Sequence, residues 1–145
     1  MTSWADVEVS APDLADTVRR TFAIRKHATM ATVQLDGTPR ISGTEVQFAD
    51  DGEVYLGMMA GARRADDLRR DPRVAIHCPT EDAPSDNPTS WLGDGKITGR
   101  AIEAELDRFR IDIERVVLTK VARDGQGLEI SLWRAGEGVT VVRRT

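Results

Sequence analysis

Cysteine is almost missing from this 145-residue chain, which has only Cys78. One thiol excludes an intrachain disulfide and fits a reducing, cytoplasmic compartment. Placed at the end of an apolar strand, it reads as a small core residue and not as a reactive thiol. Histidine is nearly as scarce, with His27 and His77 alone. His77 and Cys78 adjoin on a predicted strand, where neighbours project to opposite faces, so no metal site is expected. Ser42, Ser90 and Ser131 lack the strand–turn–helix setting of a nucleophile elbow. Neither GxGxxG nor GxxxxGK[ST] occurs, so the usual dinucleotide and P-loop signatures are absent. No apolar run approaches a membrane span, and no signal-peptide pattern opens the chain. The net charge is −4 and the pI near 5.2, against the basic balance of most nucleic-acid binders. Without a triad or a metal, catalysis would have to come from a bound cofactor that carries the hard chemistry.

What is present is an ordinary globular mixture, 40% hydrophobic and 30% charged, long enough for a single domain over residues 1–145. Residues 1–11 carry little signal. Pro12 and Asp13 mark a helix start, and Leu14, Val18 and Phe22 fall on one face of a helix running to Ile24. Residues 27–35 alternate and are rich in β formers, Asp36-Gly37 signals a hairpin, and Pro39 to Phe48 forms the second strand. A tight turn at 50–52 leads to a third strand over 53–59. Residues 79–95 form a polar, proline-rich connection ending near Trp91, which is either a core anchor or a contact for a ligand or partner. A strand over 96–106 bends at Gly99. The imperfect alternation after Asp107 predicts a strand from about Ile113 to Ala122, opening with a strand or a helical turn. Residues 128–134 and 139–143 complete the set. Seven or eight short strands with glycine-rich turns and two short helices predict a mainly β, closed or nearly closed antiparallel barrel.

The organising stretch is EVYLGMMAGARRADDLRRDPRVAIHC, residues 53–78. It reads as strand, basic turn, short helix and strand. Gly61 breaks the strand, Ala65 and Leu68 share a helix face, and Asp71-Pro72 ends the helix. Arg63 and Arg64 fall in the first helical turn. Free backbone N–H groups and the positive end of the helix dipole favour an anion there. Two guanidiniums at that place make a plausible phosphate seat.

The segment MATVQLDGTPRISGTEVQFADDGEVYLGMMAGARRADDLRRDPRVAI, with the later pieces GDGKITGRA and LWRAGEGVTVVRR, resembles the pyridoxamine 5′-phosphate oxidase-like FMN-binding split-barrel family. The resemblance implies a six-stranded antiparallel split barrel. It also implies an obligate homodimer with two sites at the subunit interface. FMN would lie over the second and third strands. Ser42, Gly43, Thr44 and Gln47 would line the ribityl chain and ring, Gly57 and Met58 would end the third strand, and Arg63 and Arg64 would hold the phosphate. Lys96 or Asp94, Trp133 and Arg143 would approach the ring from the partner. The family's flavin-binding arginine falls at Ser42, and Arg40 on the same strand face is its candidate replacement. The phosphate-contacting serine falls at Ala62, and the lysine of that turn is Arg64.

The implied activity is an FMN-dependent oxidoreductase acting on a small-molecule redox substrate. No proton donor stands out, and the contacts of the vitamin B6 oxidase itself are not visible. Two alternatives follow: a reductase using the deazaflavin coenzyme, or a non-catalytic flavin-binding or stress protein. Ser42 and Ala62 favour the latter.

Overall fold

The computed structural model describes residues 1–145. Its strands are β1 (His27–Val33), β2 (Pro39–Phe48), β3 (Val54–Gly57), β4 (Arg73–His77), β5 (Asp94–Glu105), β6 (Arg108–Val121), β7 (Leu128–Arg134) and β8 (Gly138–Arg144). Three helices accompany them: α1 (Trp4–Ser10), α2 (Pro12–Phe22) and α3 (Arg63–Arg70). The strand order is β3-β2-β1-β4-β5-β6, and β3 pairs again with β6. Six antiparallel strands therefore close into a barrel, which leaves no free edge among them. β7 and β8 continue from β6 as a hairpin outside the closure. No helix is long and apolar enough to cross a membrane.

Period-two burial sets which side chains fill the barrel. Met30, Ile76, Ile97, Val116 and Trp133 lie opposite one another across successive strands, and all are buried. The alternation in β6 changes phase partway along. Phe109, Ile111 and Ile113 face inward, then Val116 and Leu118. The cause is a bulge: Thr98 pairs with Arg115 and Gly99 with Ile113, so Glu114 has no partner in β5. One extra residue flips every later side chain to the other face. A Cβ at Gly99 would lie 2.1 Å from the Asp112 carbonyl oxygen, so this crossing requires glycine. The bulge explains why the pattern after Asp107 looks irregular in sequence. The whole of Arg108–Val121 is strand, with no helical opening.

The sequence signal misses α1. Ser3 caps it in a reciprocal box, with Asp6 N–H donating to Ser3 Oγ at 3.1 Å and Ser3 N–H to Asp6 Oδ2 at 2.9 Å. Aspartate fills the place more often held by Glu or Gln. Trp4 and Val7 are buried, and Trp4 meets Phe48 edge-on with centroids 5.0 Å apart. α2 ends at Phe22, two residues before the expected Ile24, and packs against β5. A Cβ at Gly95 would sit 2.3 Å from Thr21 Oγ1.

α3 lies against β1 and buries Ala65, Asp67 and Leu68. The Asp67 carboxylate accepts from Thr32 Oγ1 at 2.7 Å, Arg40 Nε at 2.7 Å and Arg70 Nη2 at 3.4 Å. Burial alone would raise its pKa, but the hydrogen bonds from Arg40, Thr32 and Arg70 outweigh it and hold the carboxyl below its ordinary value. A folded-state pKa below the unfolded one contributes stability above roughly pH 4, lost as pH falls through the folded value. Thermal melts should therefore be level between neutral pH and about pH 5 and drop below about pH 4. Asp67→Asn should flatten part of that drop. Parallel curves for variant and parent would overturn the assignment.

Candidate functional site

Outward positions of β2 and the end of β3 build the site. Gly43, Glu45 and Gln47 face away from the core, and His27 pairs with Glu45 across β1–β2. Together with Gly57, Met58, Met59 and Arg64 they line an open groove of about 740 Å³. A Cβ added at Gly43 or Gly57 would meet nothing within 4 Å, so these glycines leave a flat floor open to a planar group. Arg64 also lines the groove, half-buried, and its Nε is enclosed yet has no hydrogen-bond partner. A buried unpaired guanidinium donor is costly, and an anion beside it would relieve that cost. The backbone N–H groups of Arg63 and Arg64, at the start of α3, also make no hydrogen bond within the chain. Another cation borders the groove: Arg108 Nη2 donates to Gln47 Oε1 at 3.0 Å and stacks 3.6 Å from the Tyr55 ring centroid.

The groove gathers Gly43, Thr44, Gln47, Gly57, Met58 and Arg64 from the residues singled out in the sequence. Thr44 is 3% exposed, so its side chain packs inward beneath the groove. Ser42 lies opposite Met30 and also takes the inward face. Arg40 shares that face, and its guanidinium is spent on Asp67, under α3. It does not line the groove. Arg63 and Arg64 separate, because consecutive helix positions differ by about 100°. Arg63 is exposed and lines a different cleft with Arg40, Asp66 and Arg70, so the two guanidiniums border separate clefts.

The residues expected to reach across from a partner divide as well. Lys96 is exposed on the outer face, in the cross-strand row Gly43, Thr29, His77, Lys96. That puts it three strands from the groove floor, about 14 Å at ordinary strand spacing. Trp133 is 3% exposed, belongs to the core and donates from Nε1 to Ser10 Oγ at 2.9 Å. Arg143 is held by Asp124 at 2.5 Å and by the Gln126 carbonyl at 2.9 Å, both in the loop between β6 and β7. Trp91 is half-buried outside the main core, with an unpartnered Nε1.

His27, Glu45, Met59 and Arg108 line or border the groove without having been singled out. Parity within β2 would have found Glu45, because Gly43 and Gln47 flank it on the same face. His27 and Arg108 come from other strands, so only the register supplies them. His27 Nε2 lies 3.6 Å and Lys26 Nζ 3.5 Å from Glu45 Oε1.

One expectation about metal ligands also changes. Burial still alternates through β4 into Cys78, with Val74, Ile76 and Cys78 buried and His77 half-buried, yet the ends of the two neighbouring side chains lie close together. A ring nitrogen of His77, the Cys78 sulfur and an Asp94 carboxylate oxygen all lie within 4.8 Å of one another. As the sequence suggested, Cys78 is 2% exposed, and burial pushes its thiol pKa up.

No family model and no curated protein matches the chain. Solved structures do. A pyridoxamine 5′-phosphate oxidase-related, FMN binding protein from Nostoc punctiforme PCC 73102 matches with TM-score 0.66 and 10% identity, over 93% of this chain and 96% of that one. PhzG from Burkholderia lata 383, solved with tetrahydrophenazine-1-carboxylic acid, matches with TM-score 0.61 and 12% identity, over 92% and 88%. A heme binding protein from Mycobacterium smegmatis matches with TM-score 0.57 and 18% identity, over 90% of this chain and 57% of that one. The barrel closed by β3 and β6, with its trailing β7–β8 hairpin, is thus the split-barrel fold that these proteins share.

Proposed function

We propose that the chain is an FMN-dependent oxidoreductase that holds its cofactor in the groove over β2 and β3. The observation carrying this reading is the enclosed, unpartnered Nε of Arg64, which lines a groove floored by two glycines. Arg64 and the free N–H groups opening α3 would grip the phosphate. Gly43 and Gly57 would let the flavin approach the backbone, and Met58 and Met59 offer adaptable apolar contacts. Gln47, held by Arg108, would present its amide to a polar edge of the ligand. When bound, the flavin would supply hydride acceptance and donation. The small-molecule substrate is unspecified. Binding of FMN in preference to riboflavin tests the reading: FMN at saturating concentration should raise the melting temperature, and riboflavin should do so much less. Competition between FMN and a deazaflavin coenzyme decides which of the two is preferred.

The same proposal includes a homodimer. Its support is the outer face of the β6–β8 sheet, where Val117, Leu132, Ile130 and Val142 lie in adjacent cross-strand rows, with Val142 50% exposed. Ile41, on the barrel's outer face, is 77% exposed. An apolar sheet face of this kind is more often an interface than bare surface. Leu132→Arg should convert a dimer to a monomer in light-scattering chromatography. An unchanged mass, or a parent that already runs as a monomer, would remove the dimer from the proposal.

A further inference from the structure

We infer that His77, Cys78 and Asp94 form a binding site for one divalent cation of the zinc class, separate from the groove. A ring nitrogen, a sulfur and a carboxylate oxygen already lie within 4.8 Å of one another. Tetrahedral zinc, with bonds of about 2.0–2.3 Å, places neighbouring ligands about 3.3–3.8 Å apart. The contraction needed is at most on the order of 1–1.5 Å, which rotations about the His77 and Asp94 side-chain bonds would supply together.

The backbone holds the ligand-bearing strand ends together. Cys78 N–H donates to the Gly95 carbonyl at 2.9 Å, and Gly95 N–H donates to Cys78 Sγ at 3.2 Å. His77 Nδ1 is 2.6 Å from the Cys78 carbonyl oxygen. A carbonyl can only accept, so in the neutral ring this contact selects the Nδ1–H tautomer and leaves Nε2 as the nitrogen able to ligate. Metal-bound histidines use this arrangement, in which one nitrogen is fixed by a backbone carbonyl and the other is free to ligate.

Asp94 supplies the independent observation. Its side chain is half-buried next to a buried sulfur, and it forms no ion pair even though Lys96 is two residues away. A partly desolvated carboxylate without a counter-charge is unfavourable, and a cation would remedy it. The charges balance: a thiolate and a carboxylate neutralise a dication, with imidazole as the neutral third ligand. Mixed nitrogen, sulfur and oxygen donors suit zinc and disfavour magnesium and calcium, which prefer oxygen alone. An open cleft of about 650 Å³, lined by His77 and Cys78 together with Arg25, His27 and Thr29, gives an approach to those two ligands, and water would complete the coordination.

The test uses untagged, chelator-stripped full-length protein titrated with Co²⁺ and then Zn²⁺. One equivalent of Co²⁺ should bind with a thiolate-to-cobalt charge-transfer band, and Zn²⁺ should displace it. Cys78→Ser should abolish the band. Because Cys78 is a core residue, Asp94→Asn and His77→Gln serve as variants that keep the thiol. Each should weaken Co²⁺ binding by roughly tenfold or more while leaving the melting temperature in EDTA unchanged. No band at one equivalent, or a band with affinity within about threefold of the parent in both variants, would overturn the site.

Discussion

Arg64→Ala is expected to lower FMN affinity by roughly ten- to a hundred-fold, while riboflavin affinity stays within about twofold of the parent. The size follows from a charge-assisted hydrogen bond, worth about 1.5–3 kcal/mol when one partner is removed from an enclosed site. Selectivity follows because riboflavin lacks the phosphate that Arg64 would grip. Arg64 is singled out for a geometric reason: its Nε is the enclosed, unpartnered donor at the groove, whereas Arg63 is exposed and lines another cleft. Arg63→Ala should therefore change FMN affinity by no more than about threefold, since an exposed charge acts through a screened field. Fluorescence quenching titrations of FMN and riboflavin against parent, Arg63→Ala and Arg64→Ala measure all of this. Equal losses for the two arginine variants would restore the paired seat expected from the sequence, and no loss at Arg64 would remove the groove reading. Gly57→Leu offers a second approach. The added side chain has open space to occupy, so it should block the groove without unfolding the barrel.

Arg40→Ala should cost about 3 kcal/mol of stability, or about 10 °C in melting temperature, with little change in FMN affinity. Its partner Asp67 is 4% exposed at the side chain, and Arg40 itself is 25% exposed. Removing one member of such a pair leaves a buried charge that Thr32 and Arg70 only partly satisfy. The expected cost sits at the lower end of the range for broken buried pairs, because water reaches part of the arginine and Arg70 remains. The double variant Arg40→Ala/Asp67→Ala should recover part of the loss, since neither charge is then stranded. Denaturant melts of the two single variants and the double variant close the cycle. If Arg40→Ala lost flavin affinity and not stability, the arginine would belong to the groove after all.

Much of the architecture can be read from residue order alone. β2 appears with its observed ends, because proline and a hairpin turn bound it and its apolar residues alternate. α3 is legible from its charge, its Ala65–Leu68 face and the Asp71-Pro72 stop. Two elements escape. α1 is short and carries its capping box with aspartate in place of the longer acid, so residues 1–11 look featureless. The first half of β6 is obscured by Glu114, whose bulge shifts the inward positions from odd to even numbers. Sequence periodicity assumes constant phase, and a bulge breaks that assumption without any marker beyond Gly99.

The candidate site divides in the same manner. Gly43, Gln47, Gly57, Met58 and Arg64 come from two short stretches around one hairpin and one helix start, where local spacing controls direction, and they meet in the groove. Arg40, Ser42 and Thr44 sit in the same stretch but face the core, because the β1–β2 register turns them inward. Trp133 and Arg143 have the right spacing, yet the core claims one and Asp124 the other.

Chain order alone therefore specifies a β barrel, its turns and an arginine at a helix entrance. These depend on interactions between residues close in sequence, which the backbone dihedrals and side-chain periods already encode. Which arginine faces the groove, which cations the aspartates capture, and the meeting of His77 with Asp94 are settled only when strands far apart in sequence pair in one register. Closure through β3 and β6 imposes that register, and no local pattern contains it.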